Sequence, residues 1–393
     1  MKKRALFAAG LLAFGAATFT ACKDDDDDNV LATIADSTAV NVEYTSAYAK
    51  QWGNYMRTVA TLLKTDSDNL YAYWNDAYDG GESYAKRFLG HEGAGFKSSK
   101  ECVEQIIEGC VDIAGEVGDS KIAGPVKSGN VLEVESWFSW HSRVDFSNNI
   151  ASIKNAYYGS RDGVVNENSI SKVINGQNAD LDAKVIAAIK NAQDAILAIP
   201  QPFRNNLSST EAQIAIEACA DLEEVLDKDL KSYIDDNLAD YDWQSVLEQY
   251  VNNVVVPTYK DLKDLNTALY NAVVAFQENP SNDGFTTCAN AWLAARTPWE
   301  SSEAFLFGPV ADKGLDPNMD TWPLDLSGII KIFNTASWAD LEWTGDYEEE
   351  DEDNPENTTK HASDIAAAQS LRGFHTLEYL IFKDGKARTI HTN

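Results

Sequence analysis

Apolar residues recur at three- and four-residue intervals along most of this chain, and sustained two-residue alternation is missing; that pattern commits it to helices. Leu262, Leu265, Leu269, Val273 and Phe276 form one such stripe. Val185, Ile189, Ala192, Ile196 and Ile199 form a second, and Leu222, Val225, Leu226 and Leu230 a third. Breaks are expected at Pro200-Gln201-Pro202, at Asn279-Pro280 and at Pro317. A chain of 393 residues with 44% hydrophobic composition can bury two cores. The expected fold class is therefore all-α, with two helical bundles packed together and joined near 235–260.

Lys2, Lys3 and Arg4 precede an apolar run from Ala5 to Phe19, and Thr20-Ala21-Cys22 follows it. This is a secretory signal over 1–21, too short for a permanent membrane span. The cysteine makes it resemble a bacterial lipoprotein signal, with lipid attached to Cys22 and the membrane as a partner through that anchor. Residues 22–40 read as an acidic tether, because Asp24 to Asp28 repel one another and stay solvated. The run resembles the surface-export signal of Bacteroidetes lipoproteins. The expected location is the outer membrane, with the external face favoured over the periplasmic one.

The formal charge is −30, and losing the three basic residues of the signal takes it to about −33. Such acidity repels phosphates, so nucleic acid is not an expected partner. It suits solubility and cation attraction. Glu348 to Asp353 read as a disordered acidic loop without the alternating spacing of a calcium loop. Cys102, Cys110, Cys219 and Cys288 are too few for a disulfide scaffold. Cys102 and Cys110 stand eight apart in a helical stretch, about 12 Å at the helical rise, beyond disulfide reach.

The chemistry concentrates in Arg372-Gly-Phe-His-Thr-Leu-Glu-Tyr-Leu-Ile-Phe382. His375 and Glu378 are neighbours on a helix, able to share one metal ion or one proton. Phe374, Leu377, Leu380 and Ile381 form an apolar arc, with Arg372, His375 and Tyr379 on the polar side. H-x-x-E alone is a weak signal, and a helical histidine beside an ordinary carboxylate is the plainer explanation. Neither H-E-x-x-H nor H-x-x-E-H is present.

The surrounding residues raise the specificity. The G-F-H-T-L-E stretch resembles the G-x-H-x-x-E motif of the imelysin family, also called M75 peptidase-like or iron-regulated proteins. Ala291 to Trp299, then Ser302-Glu-Ala-Phe305, then Thr321-Trp-Pro-Leu-Asp325 are similar to the segments that precede the motif in that family. Glu135-Ser-Trp-Phe-Ser-Trp-His-Ser-Arg-Val-Asp145 and Asn155-Ala-Tyr-Tyr-Gly159 are similar to the family's second half. Here that half comes first, so the chain resembles a circularly permuted imelysin: residues 41–240 as the usual second half, 241–393 as the usual first.

A metal site needs groups beyond His375 and Glu378. Glu303 and Glu135 complete the expected ligand set, with Arg372, Ser139, His141 and Asp145 as further candidates. Each has a plainer alternative. Glu303 suits the first turn of a helix, and His141 with Asp145 suits a surface pair. Residues 135, 139 and 142 share a face if that stretch is helical. The two polar motifs are expected to meet between the bundles. The resemblance implies a divalent metal ion, iron or zinc, in bacterial iron uptake, with an envelope transport partner. Two alternatives stay open. One is an M75-type peptidase with Glu378 as general base. The other is a module that binds a haem, a siderophore fragment or a protein without metal.

Overall fold

The computed structural model describes residues 42–45, 48–341 and 367–391. The signal, Cys22, the acidic tether and the 348–353 run lie outside the described residues. Eight helices carry the argument: α1 (Ala49–Asn75), α2 (Ser99–Gly115), α3 (Ser142–Tyr158), α4 (Ala179–Ala198), α5 (Thr210–Glu224), α6 (Val256–Glu278), α7 (Asn282–Glu300) and α8 (Gly373–Ile381). Their starts follow from local chemistry. Ser98 accepts from the Glu101 amide, Asn178 from Leu181, Ser209 from Ala212 and Ser281 from Gly284, each satisfying an otherwise orphaned donor.

The predicted stripes face the core. Leu262, Leu269, Val273 and Phe276 are buried on α6, and Val185, Ile189, Ala192 and Ile196 on α4. Leu265 is only half-buried, and Asn266 takes the interior position beside it. The breaks after α4 and α6 fall where the prolines put them. Pro317 differs: it sits in the first turn of a short helix, Leu315–Asp320, where its missing N–H breaks no ladder bond. The four cysteines are buried and free, with Cys102 and Cys110 together on α2.

Two groups of helices pack within Glu43–Asn393, which forms one compact unit. In one, α6 lies along α1 and α7, and α8 packs against α1 and α7. In the other, α4 lies against α3 and α5, and α2 against α5 and α3. α1 comes before residue 240 in sequence yet packs with the later helices. Among the described residues strand pairing is confined to a small hairpin, Phe382–Lys383 with Lys386–Ala387, and one isolated bridge. No helix among the described residues is long and apolar enough to cross a membrane.

The groups meet along a polar seam. α3 buries Asp145, Ser147, Asn149, Ser152 and Asn155 beside its apolar stripe of Phe146, Ile150, Ile153 and Tyr157. Buried polar groups need partners, and Asn149 and Ser152 find theirs at the last residue of α7 and in the turn after it. Asn149 Nδ2 donates to Glu300 Oε2 at 2.5 Å, and Ser152 Oγ accepts from the Ala304 amide at 3.0 Å. Gly109 on α2 permits the approach, since a Cβ there would lie 2.2 Å from the Ala304 carbonyl oxygen.

Candidate metal centre

All nine residues of α8 are buried, so the expected polar side of this helix does not exist. The backbone is locked by indoles on either flank: Trp292 Nε1 donates to the Phe374 carbonyl at 2.9 Å, and Trp52 Nε1 to that of Leu380 at 3.0 Å. Gly373 has φ +83°, and a Cβ there would meet the Met319 carbonyl oxygen at 2.4 Å. Only glycine fits both demands. Its close approach sets the Leu315–Asp320 helix beside α8, and so Asp320 beside His375. Gly373→Ala is expected to lower stability by about 1–3 kcal/mol and to weaken metal binding; denaturant unfolding and a binding titration check the two effects.

His375 and Glu378 touch, as their spacing predicts, with Nδ1 3.0 Å from Oε2. Glu378 is otherwise spent on the 135–145 stretch. Its Oε1 accepts from the Phe138 amide at 3.0 Å, the Ser139 amide at 2.7 Å and Ser139 Oγ at 2.7 Å. The two sequence motifs therefore do meet, through Glu378 and Ser139. Both carboxylate oxygens are engaged, so Glu378 positions His375 rather than joining a ligand set.

The stretch from 135 to 140 is a turn rather than the helix that would align 135, 139 and 142; α3 begins only at Ser142. Ser136 and Trp140 take positive φ, and Ser142 Oγ closes the turn onto the Glu135 carbonyl at 2.6 Å. His141 Nδ1 and Asp145 Oδ1 pair at 2.7 Å. This is no surface pair. Asp145 is fully buried, accepts from Ser136 Oγ at 2.5 Å, and lies 3.8 Å from Arg296 Nε. Arg372 points elsewhere, to Asp66 and the Leu341 carbonyl.

His375 Nε2 faces the centre of the seam, 3.1 Å from Asp320 Oδ1 and 3.7 Å from Glu135 Oε1. Trp322 packs edge-on against the imidazole, ring centres 4.9 Å apart. Four groups here escaped the sequence reading: Arg296, Glu300, Asp320 and Lys121. Arg296 and Glu300 stand four apart on α7 and share a face. Arg296 is wholly buried and reaches Glu135 Oε1 at 2.6 Å, Glu300 Oε1 at 2.5 Å, and Asp320. Asp320 also accepts from Trp299 Nε1 at 2.6 Å. Lys121, from a π-helical turn (Glu116–Ile122), pairs with Glu135 Oε2 at 3.0 Å.

Two groups of ligand atoms emerge, each with its members within 4.8 Å of one another: Glu135, Asp320 and His375; and Glu300, Glu303 and Asp320. The expected ligands are thus divided. Glu135 goes with His375, Glu303 goes with two unforeseen carboxylates, and Asp320 belongs to both. Glu303 lies in a short 3-10 turn (Glu303–Phe305), and only 8% of it is exposed.

Electrostatics separates the two groups. Burial pushes Asp320 and Glu135 up, but Arg296 and His375 on Asp320, and Lys121, His375 and Arg296 on Glu135, hold both below the usual carboxylate range. Burial and Arg296 push His375 down, yet Asp320, Glu135 and Glu378 outweigh them and raise it well above the ordinary imidazole value. The other group is short of positive charge. Burial drives Glu300 and Glu303 well above the usual range despite Arg296 and Lys121 nearby. Glu300 Oε1 lies 2.5 Å from Arg296 Nη2, and its Oε2 accepts from Asn149. Burial and then Asp320 push Asp316 up to about 7. A carboxyl raised in the folded chain stabilises it below the unfolded value, and that contribution is lost as pH rises through the folded one. Asp316→Asn is therefore expected to flatten the fall in stability between pH 3.8 and about 7, read by unfolding at several pH values.

An imelysin (peptidase M75) family model matches residues 23–228 and 255–393. The chain belongs to the imelysin family. A crystal structure of an imelysin peptidase from Bacteroides ovatus superposes with a TM-score of 0.85 at 51% identity, covering 90% of this chain and all of that one. This imelysin is also similar to iron-regulated protein A of Synechococcus elongatus, 32% identical over 136 residues, 35% of this chain. The match takes in 31% of that relative's length, about a third of it. A putative iron-regulated protein A precursor from Parabacteroides distasonis is 36% identical over 42% of this chain and 51% of its own, with a TM-score of 0.39.

Proposed function

We propose that this imelysin is a cell-envelope lipoprotein that takes up a hard cation, iron foremost, as cargo on Glu300, Glu303 and Asp320. One observation carries the reading: the carboxylates of Glu300, Glu303 and Asp320 converge within 4.8 Å, and burial outweighs the Arg296 and Lys121 charges near the first two. Like charges so close are tolerated only if protonated or neutralised by a cation. The spacing suits an ion. Oxygen ligands at about 2.1–2.4 Å stand about 3 Å apart when adjacent and under about 5 Å when opposite. An all-oxygen set favours hard cations over zinc. The iron-regulated relative agrees with iron as the cargo.

Cys22 would carry the lipid, with the acidic segment as tether and an outer-membrane location facing a transport partner. The family model matches on both sides of 229–254, and this reading keeps the halves in exchanged order. In that arrangement all three ligands come from residues 241–393, beside α3 of the other half, whose Asn149 donates to Glu300.

Anaerobic equilibrium dialysis of the purified protein against Fe(II) tests the reading. One equivalent is expected on the wild type and none on Glu303→Gln at the same free iron. Equal binding by both would rule out the three-carboxylate site. A peptidase would have Glu378 as its base, but the four contacts on that carboxylate favour a positioning role. Metal-dependent peptide cleavage abolished by Glu378→Gln would reverse that preference.

A further inference from the structure

The group containing the histidine already holds a cation. Arg296 Nη2 lies 2.6 Å from Glu135 Oε1 and 3.3 Å from His375 Nε2, and Nη1 contacts Asp320 Oδ1. These are the three atoms that an ion would need in this group. The guanidinium is wholly buried and backed by the Phe374 ring, 5.3 Å from its central carbon. An incoming ion would have to expel it, and an unpaired buried charge is costly. Lys121 covers the other oxygen of Glu135. Arg296 thus meets all three members of the nitrogen-bearing half, whereas in the all-oxygen half it meets Glu300 and Asp320 and leaves Glu303 untouched.

We propose that Arg296 is the specificity-determining residue of this centre: its guanidinium stands in for a second metal ion, keeps His375 from ligating, and leaves a one-ion site with oxygen ligands alone. The proposal rests on the cargo site at Glu300, Glu303 and Asp320. Imidazole suits zinc and copper, whereas carboxylates alone suit hard ions. Withholding His375 therefore tilts the choice toward manganese and iron. Arginine serves this end better than lysine, because its planar fork can meet two or three acceptors at once and stays charged at any working pH.

Zinc and manganese titrations of the full mature chain, wild type beside Arg296→Met and the double variant Arg296→Met/His375→Ala, test it. The wild type is expected to hold one ion of either metal. Arg296→Met should hold two zinc ions, with zinc preference over manganese raised by about tenfold or more. The double variant should return to one. Should Arg296→Met fail to fold, pulsed EPR of the Mn(II)-loaded wild type decides, and no coupling to an imidazole nitrogen is expected. Unchanged stoichiometry in folded Arg296→Met, or an imidazole coupling in the wild type, overturns the proposal. A wild type that binds no ion removes the cargo site itself. The role of Arg296 then survives only if Arg296→Met gains a His375-dependent ion, and is overturned otherwise.

Discussion

Asp320→Ala is expected to abolish cation binding and to cost more stability than any other single change in the seam. One carboxylate serves both ligand groups, pairs with Arg296, accepts from Trp299 and faces His375. Deleting it leaves a buried guanidinium with fewer counter-charges and a buried indole N–H without its acceptor. Breaking a buried ion pair from one side costs about 3–5 kcal/mol. Loss of a charged ligand should lower affinity by at least about 100-fold, beyond what losing an outer-shell partner does. Asp320→Asn separates the two effects, because the amide oxygen can still accept from Trp299. It should keep more of the stability while binding stays weak, as denaturant unfolding and metal titration on the same samples would read. An alanine variant that binds metal with wild-type affinity would mean that Asp320 belongs to an ion-pair network only.

Glu378→Ala should destabilise nearly as much, and for a different reason. Four donors or ring nitrogens converge on this carboxylate: the Phe138 and Ser139 amides, Ser139 Oγ and His375 Nδ1. All are buried, so alanine would strand them, and each stranded polar group costs about 1–3 kcal/mol. The expected total is about 3 kcal/mol or more. Glu378→Gln keeps an acceptor for the 138–139 turn and should lose much less. Metal stoichiometry should survive in glutamine, since Glu378 lies outside the oxygen-ligand group. A glutamine variant of normal stability that has lost its ion would place Glu378 among the ligands after all.

The helical class was legible in the sequence because a buried helix face repeats every three or four residues whatever it packs against. Leu262 to Phe276, Leu265 excepted, and Val185 to Ile199 are where the stripes put them. The H-x-x-E contact was legible too, being local. Three features were not. The 135–140 segment is a turn whose positive-φ residues are a serine and a tryptophan, with no glycine to betray it. The α8 helix is buried on every side, so His375 occupies a core position rather than a polar side. The proposed ligands are spread over α7, the 3-10 turn and the Leu315–Asp320 helix, and their convergence is a tertiary fact. Arg296 and Asp320 did leave traces: one is the only charge within Ala291 to Trp299, the other directly precedes Thr321-Trp322. Lys121 left none, because a lysine in a helical stretch reads as solvent-facing until a π-helical turn carries it inward.

Anomalous diffraction from crystals soaked in Mn(II) tests the central claim most directly. One peak is expected, among the Glu300, Glu303 and Asp320 carboxylates, with Arg296 still against Glu135 and His375. A peak bonded to His375 Nε2 with Arg296 displaced, or no peak in the seam at saturating manganese, would contradict it.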